Sequence, residues 1–310
     1  MAKRKKSKSR TKRISFKLGT PKGKKQFQLP YRPSLTGILK ILVLVCILAA
    51  LGIAFLILDK YVKTTSSPQS PVILELIDVP PWVNEPLKEK IYTAAKTTST
   101  NLRLDEKVAK SVQRSIETLV VWAKYVKVQA THDRLLIKAE WRKPLALVKQ
   151  GLRSCYLDAE LVVLDYVPMP NLPIVKVKGL EIVTKLPRPG EIWQKNDLAA
   201  AVAILDRLHR MDKLVVPDKP LLYEIDSIDM SNFNGRENSR LAHIILYTKD
   251  KTEIIWGAEI DAWQQFLEAT DEEKLAKLYS YYKEYGSLSN AKYINLRDPQ
   301  QTIPTPIDKY

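Results

Sequence analysis

The 310-residue chain has only three histidines, two cysteines and ten glycines, and its first 40 residues contain no Asp or Glu. Each shortage removes a class of function. His132, His209 and His243 are far apart and lie outside any H-E-x-x-H or similarly compact pattern, so their spacing offers no metal centre. Cys46 lies within a long apolar run and Cys155 far beyond it. They cannot pair within one chain, and folding is left to a hydrophobic core rather than to a disulfide. Cys155 also has no histidine nearby in sequence and reads as a structural thiol rather than a nucleophile. With so few glycines, phosphate-cradling loops are scarce. The P-loop, the dinucleotide fingerprint and the G-x-S-x-G elbow are all absent.

Charge is missing altogether from Ile41 to Leu58, 18 successive residues. If Lys40 snorkels, the apolar run extends back to Leu35, long enough to cross roughly 30 Å of hydrocarbon. A cleavable signal has a shorter apolar core and begins closer to the N-terminus, so the run reads as one uncleaved span over 37–58. Of the 50 Lys and Arg, 14 lie in residues 1–40, leaving 36 basic against 34 acidic residues in the other 270. Almost all of the formal charge of +16 therefore lies in residues 1–40, most of it in the tail, 1–36. By the positive-inside rule this tail stays cytoplasmic at the plasma membrane, and the residues beyond the span are exported. A basic arm binds any polyanion, but beside a span the excess reads as topology and attraction to anionic lipid. No nucleic-acid partner is expected.

Beyond a polar linker, 59–71, periodic patterns begin. Val72–Ile77 reads as a strand. Asn84 is placed to cap a helix carrying Leu87, Ile91 and Ala94, and a second helix from about Asp105 to Thr118 carries Val108, Val112 and Ile116. Alternation in "VVWAKYVKVQA" and "LLIKAEW" predicts two more strands, giving a β-α-α-β-β domain over 72–143. In the remainder, strand-like runs occur at Leu145–Val148, Tyr156–Leu164, Tyr223–Ile228, Leu241–Thr248 and Glu253–Trp256. Between them lies a helix with Leu198, Val202, Leu205 and Leu208 on one face. Thr270 and Glu273 are spaced as a capping box for a last helix through Leu275, Leu278 and Tyr282, which Gly286 can end. The fold class is α+β, with a mainly antiparallel second domain over 144–299 and a tail over 300–310.

The element order of 72–143 looks like that of a POTRA domain. Four segments, Val120–Val148, Tyr156–Asp165, Leu172–Gly179 and "YINLRDP" (Tyr293–Pro299), resemble the FtsQ/DivIB family of bacterial division proteins in order and separation. The resemblance implies a POTRA domain followed by a β domain, no catalytic residue and no cofactor. It also implies that other division proteins add a strand near the last segment. There Tyr293, Asn295 and Arg297 alternate with Ile294 and Leu296 across one strand. Pro304 and Pro306 follow, so either Gln301, Thr302 and Ile303 form a short docking edge or Tyr293–Arg297 is itself the exposed strand, with Leu296 among the contact residues.

Carboxylates at Asp226–Asp229 and Asp271–Lys274 suit an acid/base pair only superficially, because acidic residues at a helix start also favour the positive end of its dipole. Trp122, Trp141, Trp193, Trp256 and Trp263 read as core or junction residues. The leading expectation is a non-enzymatic scaffold of the division complex. The rivals are a membrane-anchored cell-wall-binding protein or enzyme and a POTRA-type secretion component. The topology is tested with Ser67→Cys in a Cys46→Ala, Cys155→Ala background. A membrane-impermeant thiol reagent should label intact cells or spheroplasts, whereas labelling only after lysis of the inner membrane would overturn it.

Overall fold

The computed structural model describes residues 35–65, 73–96, 105–181, 186–298 and 300–304. The chain divides into two units, Met1–Pro68 and Gln69–Tyr310. The first unit contains helix α1 (Leu35–Thr65), of which Leu39–Tyr61 is long and apolar enough to cross a membrane, with no side chain buried within the protein. The helix outruns the expected span at both ends. In particular, 59–65 continues the helix instead of starting a linker, because neither glycine nor proline interrupts the chain between Ile53 and Ser67. The basic tail up to residue 34, the rest of the linker and residues 305–310 lie outside the described residues.

The second unit begins with a lobe of the expected order: β1 (Ile73–Ile77), α2 (Glu85–Lys96), α3 (Glu106–Leu119), β2 (Ala123–Ala130) and β3 (Arg134–Trp141). Asn84 Oδ1 accepts the Leu87 N–H at 3.3 Å, and Asp105 Oδ1 accepts that of Val108 at 2.8 Å, so both helices start at side-chain caps. Their apolar stripes, Leu87, Ile91, Ala94 and Val108, Val112, Ile116, are buried together with Leu135, Ile137 and Ala139. The sheet runs β1-β3-β2, with β3 parallel to β1 and antiparallel to β2. A bulge between Lys124 and Lys127 interrupts β2, and Tyr125 there has a φ of 50°.

The second lobe contains β4 (Ala146–Gln150), β5 (Arg153–Leu157), β6 (Val163–Asp165), β7 (Val175–Lys178), α4 (Asn196–Val215), β8 (Ile225–Asp229), β9 (Ile244–Thr248), β10 (Glu253–Gly257), α5 (Asp271–Tyr285) and β11 (Tyr293–Asn295). Two expectations need correction. The run Tyr156–Leu164 is not one strand: Asp158 Oδ1 accepts the N–H groups of Glu160 and Val162, both at 2.9 Å, and Leu161 takes a φ of 61°, so the chain reverses between β5 and β6. The eight-stranded sheet, in the order β11-β10-β9-β8-β7-β4-β5-β6, is also mixed rather than mainly antiparallel. The pairs β4/β7, β7/β8 and β10/β11 are parallel. Parallel neighbours need a crossover, and α4 and α5 supply two of them. Helix α4 begins at Asn196 as the sequence indicates but continues a turn beyond the expected end at Met211, to Val215, and α5 begins and ends as expected. Thr270 and Glu273 close their capping box, and Gly286 ends α5 in the left-handed region.

No aqueous layer separates the lobes. Ala146, Val148, Leu157 and Val163 belong to the core beneath α4 and α5, whereas Tyr156, Val162 and Leu164 belong to the core of the first lobe. Adjacent residues on β5 and β6 thus face different cores, as the two-residue period of a strand requires. Trp122 Nε1 donates to Asp165 Oδ1 at 2.9 Å, and Arg142 bridges Asp158 and Glu160 at 2.6 and 2.9 Å. Gln69–Tyr310 is expected to melt in a single transition. Tyr156→Ala, which removes a ring packed edge-on against Trp122, should lower the stability of the whole unit by about 3–5 kcal/mol. Calorimetry resolving two transitions, only one of them shifted, would contradict this.

Candidate functional site

β11 is the outermost strand of the larger sheet, and its register to β10 is Glu253↔Tyr293, Ile254↔Ile294 and Ile255↔Asn295. The Leu296 N–H donates to the Ile255 carbonyl at 2.9 Å. The even-numbered residues therefore turn their backbone groups toward β10, and Tyr293 and Asn295 turn theirs away. Among the described residues, no other strand pairs with β11. Side chains follow the predicted alternation. Ile294 and Leu296 are fully buried, while Tyr293, Asn295 and Arg297 are half-buried on the opposite face.

The segment after the strand turns back over this face. The Asn295 side-chain amide donates to Gln301 Oε1 at 2.5 Å, Gln301 Nε2 donates to the Tyr293 hydroxyl at 3.3 Å, and the Lys292 N–H donates to the Pro304 carbonyl at 2.9 Å. Ile303 packs against the core and Thr302 is exposed. The seven residues singled out in the sequence thus lie at one sheet margin, but Leu296, expected among the contact residues, is fully buried in the core and has no surface to offer a partner. Of the two arrangements left open there, Tyr293–Asn295 is the strand, and Gln301–Ile303 is an irregular segment laid against it.

The far end of β11 is fixed by charge. Glu268 accepts from Lys274 Nζ at 2.8 Å and from Arg297 Nε at 2.6 Å, and its Oε2 also accepts the Ala258 N–H at 2.9 Å. Lys274 is fully buried, its ammonium 5.5 Å from the centroid of the Trp256 ring. Gly257 permits the approach: its φ is 95°, and a Cβ there would collide with the Glu268 carboxylate. Burial pushes the Glu268 carboxyl up, but the hydrogen bonds from Lys274, Ala258 and Arg297 outweigh it and hold the group below its ordinary range. Lys277 adds a second tie, donating to the carbonyls of Asn295 and Asp298, both at 2.7 Å. These supports escaped the reading of "DEEK" as a helix start alone. The signal was there, since Lys274 falls on the Leu275–Leu278–Tyr282 face and so had to be buried with a partner.

The groups considered for catalysis are dispersed. His132 is exposed in the β2–β3 turn. His209 is half-buried beside Lys143, where burial and the Lys143 and Lys213 charges push it down to about 4. His243 is buried edge-on against Phe266. Burial pushes the Cys155 thiol up to about 11, which disfavours the nucleophilic thiolate. Asp226 is paired with Lys176 at 2.6 Å, and Asp229 accepts from the Ser231 amide and hydroxyl. Trp122, Trp141, Trp193 and Trp256 are buried, and Trp263 is half-buried. No group of three or more metal-binding side chains occurs among the described residues.

No family model matches the chain, and no curated protein matches it.

Glu268→Gln should cost about 3–5 kcal/mol at neutral pH, because it strands the buried Lys274 ammonium without a counter-charge. The sign of the pH dependence follows from the depressed carboxyl. Its contribution is present above the ordinary value of 4.5 and is lost as the pH falls through the folded-state value. Denaturation curves of the two proteins should therefore converge in acid, and a gap that persists there would show that Glu268 acts by shape alone.

Proposed function

We propose that the chain is a non-enzymatic, single-span scaffold of the bacterial division septum, as in the FtsQ/DivIB family it resembles. In this reading the basic tail is cytoplasmic, and the POTRA-like first lobe and the second lobe are exported. Other division proteins dock on β11 by adding a strand. The observation that carries the proposal is that no other strand pairs with β11 among the described residues, although the outward Asn295 carbonyl already accepts from Lys277 and a docking strand would have to displace that ammonium. The outward backbone groups of β11 are held in fixed register by β10 and, at the end of the strand, by the Glu268 cluster, and strand addition requires such a template. Support also comes from the one helix among the described residues that is long and apolar enough to cross a membrane, the excess of positive charge on its N-terminal side, and the β-α-α-β-β order of the first lobe.

Depletion of the protein should give filamentous or chained cells with incomplete septa under the microscope, and division at normal length would sink the proposal. Complementation separates the backbone from the side chain. Asn295→Ala keeps the outward N–H and should restore division, whereas Asn295→Pro removes it and should not. Equal rescue by both variants would exclude strand addition at this residue.

A further inference from the structure

The first lobe carries a second site, on the face of its sheet that the helices do not cover. A groove of about 660 Å³ runs there between Trp82 and Tyr125, with Lys127, Lys138 and Lys143 along it and the buried Trp141 at its margin. Three features of this groove work against the stability of the lobe. Tyr125 holds a left-handed φ of 50° at the bulge in β2, and its ring is 74 % exposed. Lys127 and Lys138 are directly opposed across the β2/β3 ladder, where like charges repel. Lys138 is neutralised by Asp78 at 2.5 Å, but among the described residues neither Lys127 nor Lys143 has a carboxylate partner. The polar neighbour of Lys143 is His209 Nε2, 3.4 Å away. Bulges re-aim side chains, and backbone strain that packing does not require points to a ligand.

The lining also defines the ligand chemistry. Aromatic rings offer flat faces to the C–H surface of a sugar, and the Lys127 ammonium offers a counter-charge for a carboxylate. Asp78 and Glu140, interleaved among the lysines, repel a continuous polyanion but accept hydrogen bonds from hydroxyl groups. A nucleic acid or a run of acidic residues in a peptide therefore fits this lining less well than a saccharide bearing an occasional carboxylate. We infer that the groove between Trp82 and Tyr125 binds an acidic oligosaccharide, with these two rings stacking on the sugars and Lys127 taking the carboxylate.

This inference does not depend on the division reading, because binding is measured on the purified full chain in detergent. The probes are a hyaluronan tetrasaccharide, neutral chitotetraose and a glutamate decapeptide, with titrations followed by tryptophan fluorescence and calorimetry. Hyaluronan should bind at least about tenfold more tightly than either control, a gap of about 1.4 kcal/mol. Lys127→Gln should erase this preference. Tyr125→Gly should weaken hyaluronan binding by about tenfold while raising the melting temperature, since glycine relieves the left-handed backbone. That pairing separates loss of binding from loss of fold. Equal binding of chitotetraose, tighter binding of the peptide, absence of hyaluronan binding, or a Tyr125→Gly protein that binds normally would each overturn the assignment.

Discussion

Residues 146–148, 156–157 and 163–165 are covered on both faces, and the arrangement of the second unit depends on that constraint. Side chains alternate along a strand, so a segment apolar at both parities must be covered on both sides. Here Leu157 and Val163 point into one core while Tyr156 and Leu164 point into the other. The small helical lobe and the larger sheet are therefore two coverings of the same strands. Polar ties at their boundary, Trp122 to Asp165 and Arg142 to Asp158 and Glu160, leave few buried donors unsatisfied there.

From this shared seam the sheet extends one way only. At the β6 margin, the Val163 N–H and C=O bond to Glu191 and Gly190 at 2.9 and 2.7 Å, so that edge is covered. At the β11 margin the strand is short, its inner residues are anchored by Ile294 and Leu296, and its end is clamped by Glu268, Lys274 and Arg297. A buried ion pair contributes little net stability because desolvation offsets the attraction. Its effect here is geometric, since it fixes where the last strand ends and how the chain leaves it. The register matters because a one-residue slip would turn Ile294 and Leu296 outward.

Most of this architecture was legible in the sequence wherever a single period dominated. The helices of the first lobe, the body of α4, and α5 with its caps followed from stripes such as Leu87–Ile91–Ala94 and from Asp105, Thr270 and Gly286, whereas the last turn of α4, to Val215, did not. What was missed was non-local. The four-residue strand Val175–Lys178 is too short to assert itself, and its parallel pairing depends on a crossover whose partners lie far away in sequence. The break in Tyr156–Leu164 is made by one aspartate accepting two amides within an otherwise continuous apolar run. At the candidate edge, the alternation of Tyr293–Arg297 predicted which side chains turn inward. The fold-back of Gln301 onto Tyr293 and Asn295 depends on side-chain contacts that no period encodes.

The central claim is that the outward face of β11 meets another membrane protein in the cell. A photoreactive amino acid introduced at position 293 in living cells, with position 152 at the fully exposed β4–β5 turn as a comparison, tests it most directly. The account predicts a crosslink from position 293 to a membrane protein enriched at the septum, and none from position 152. Crosslinks from position 152 with none from position 293 would contradict it.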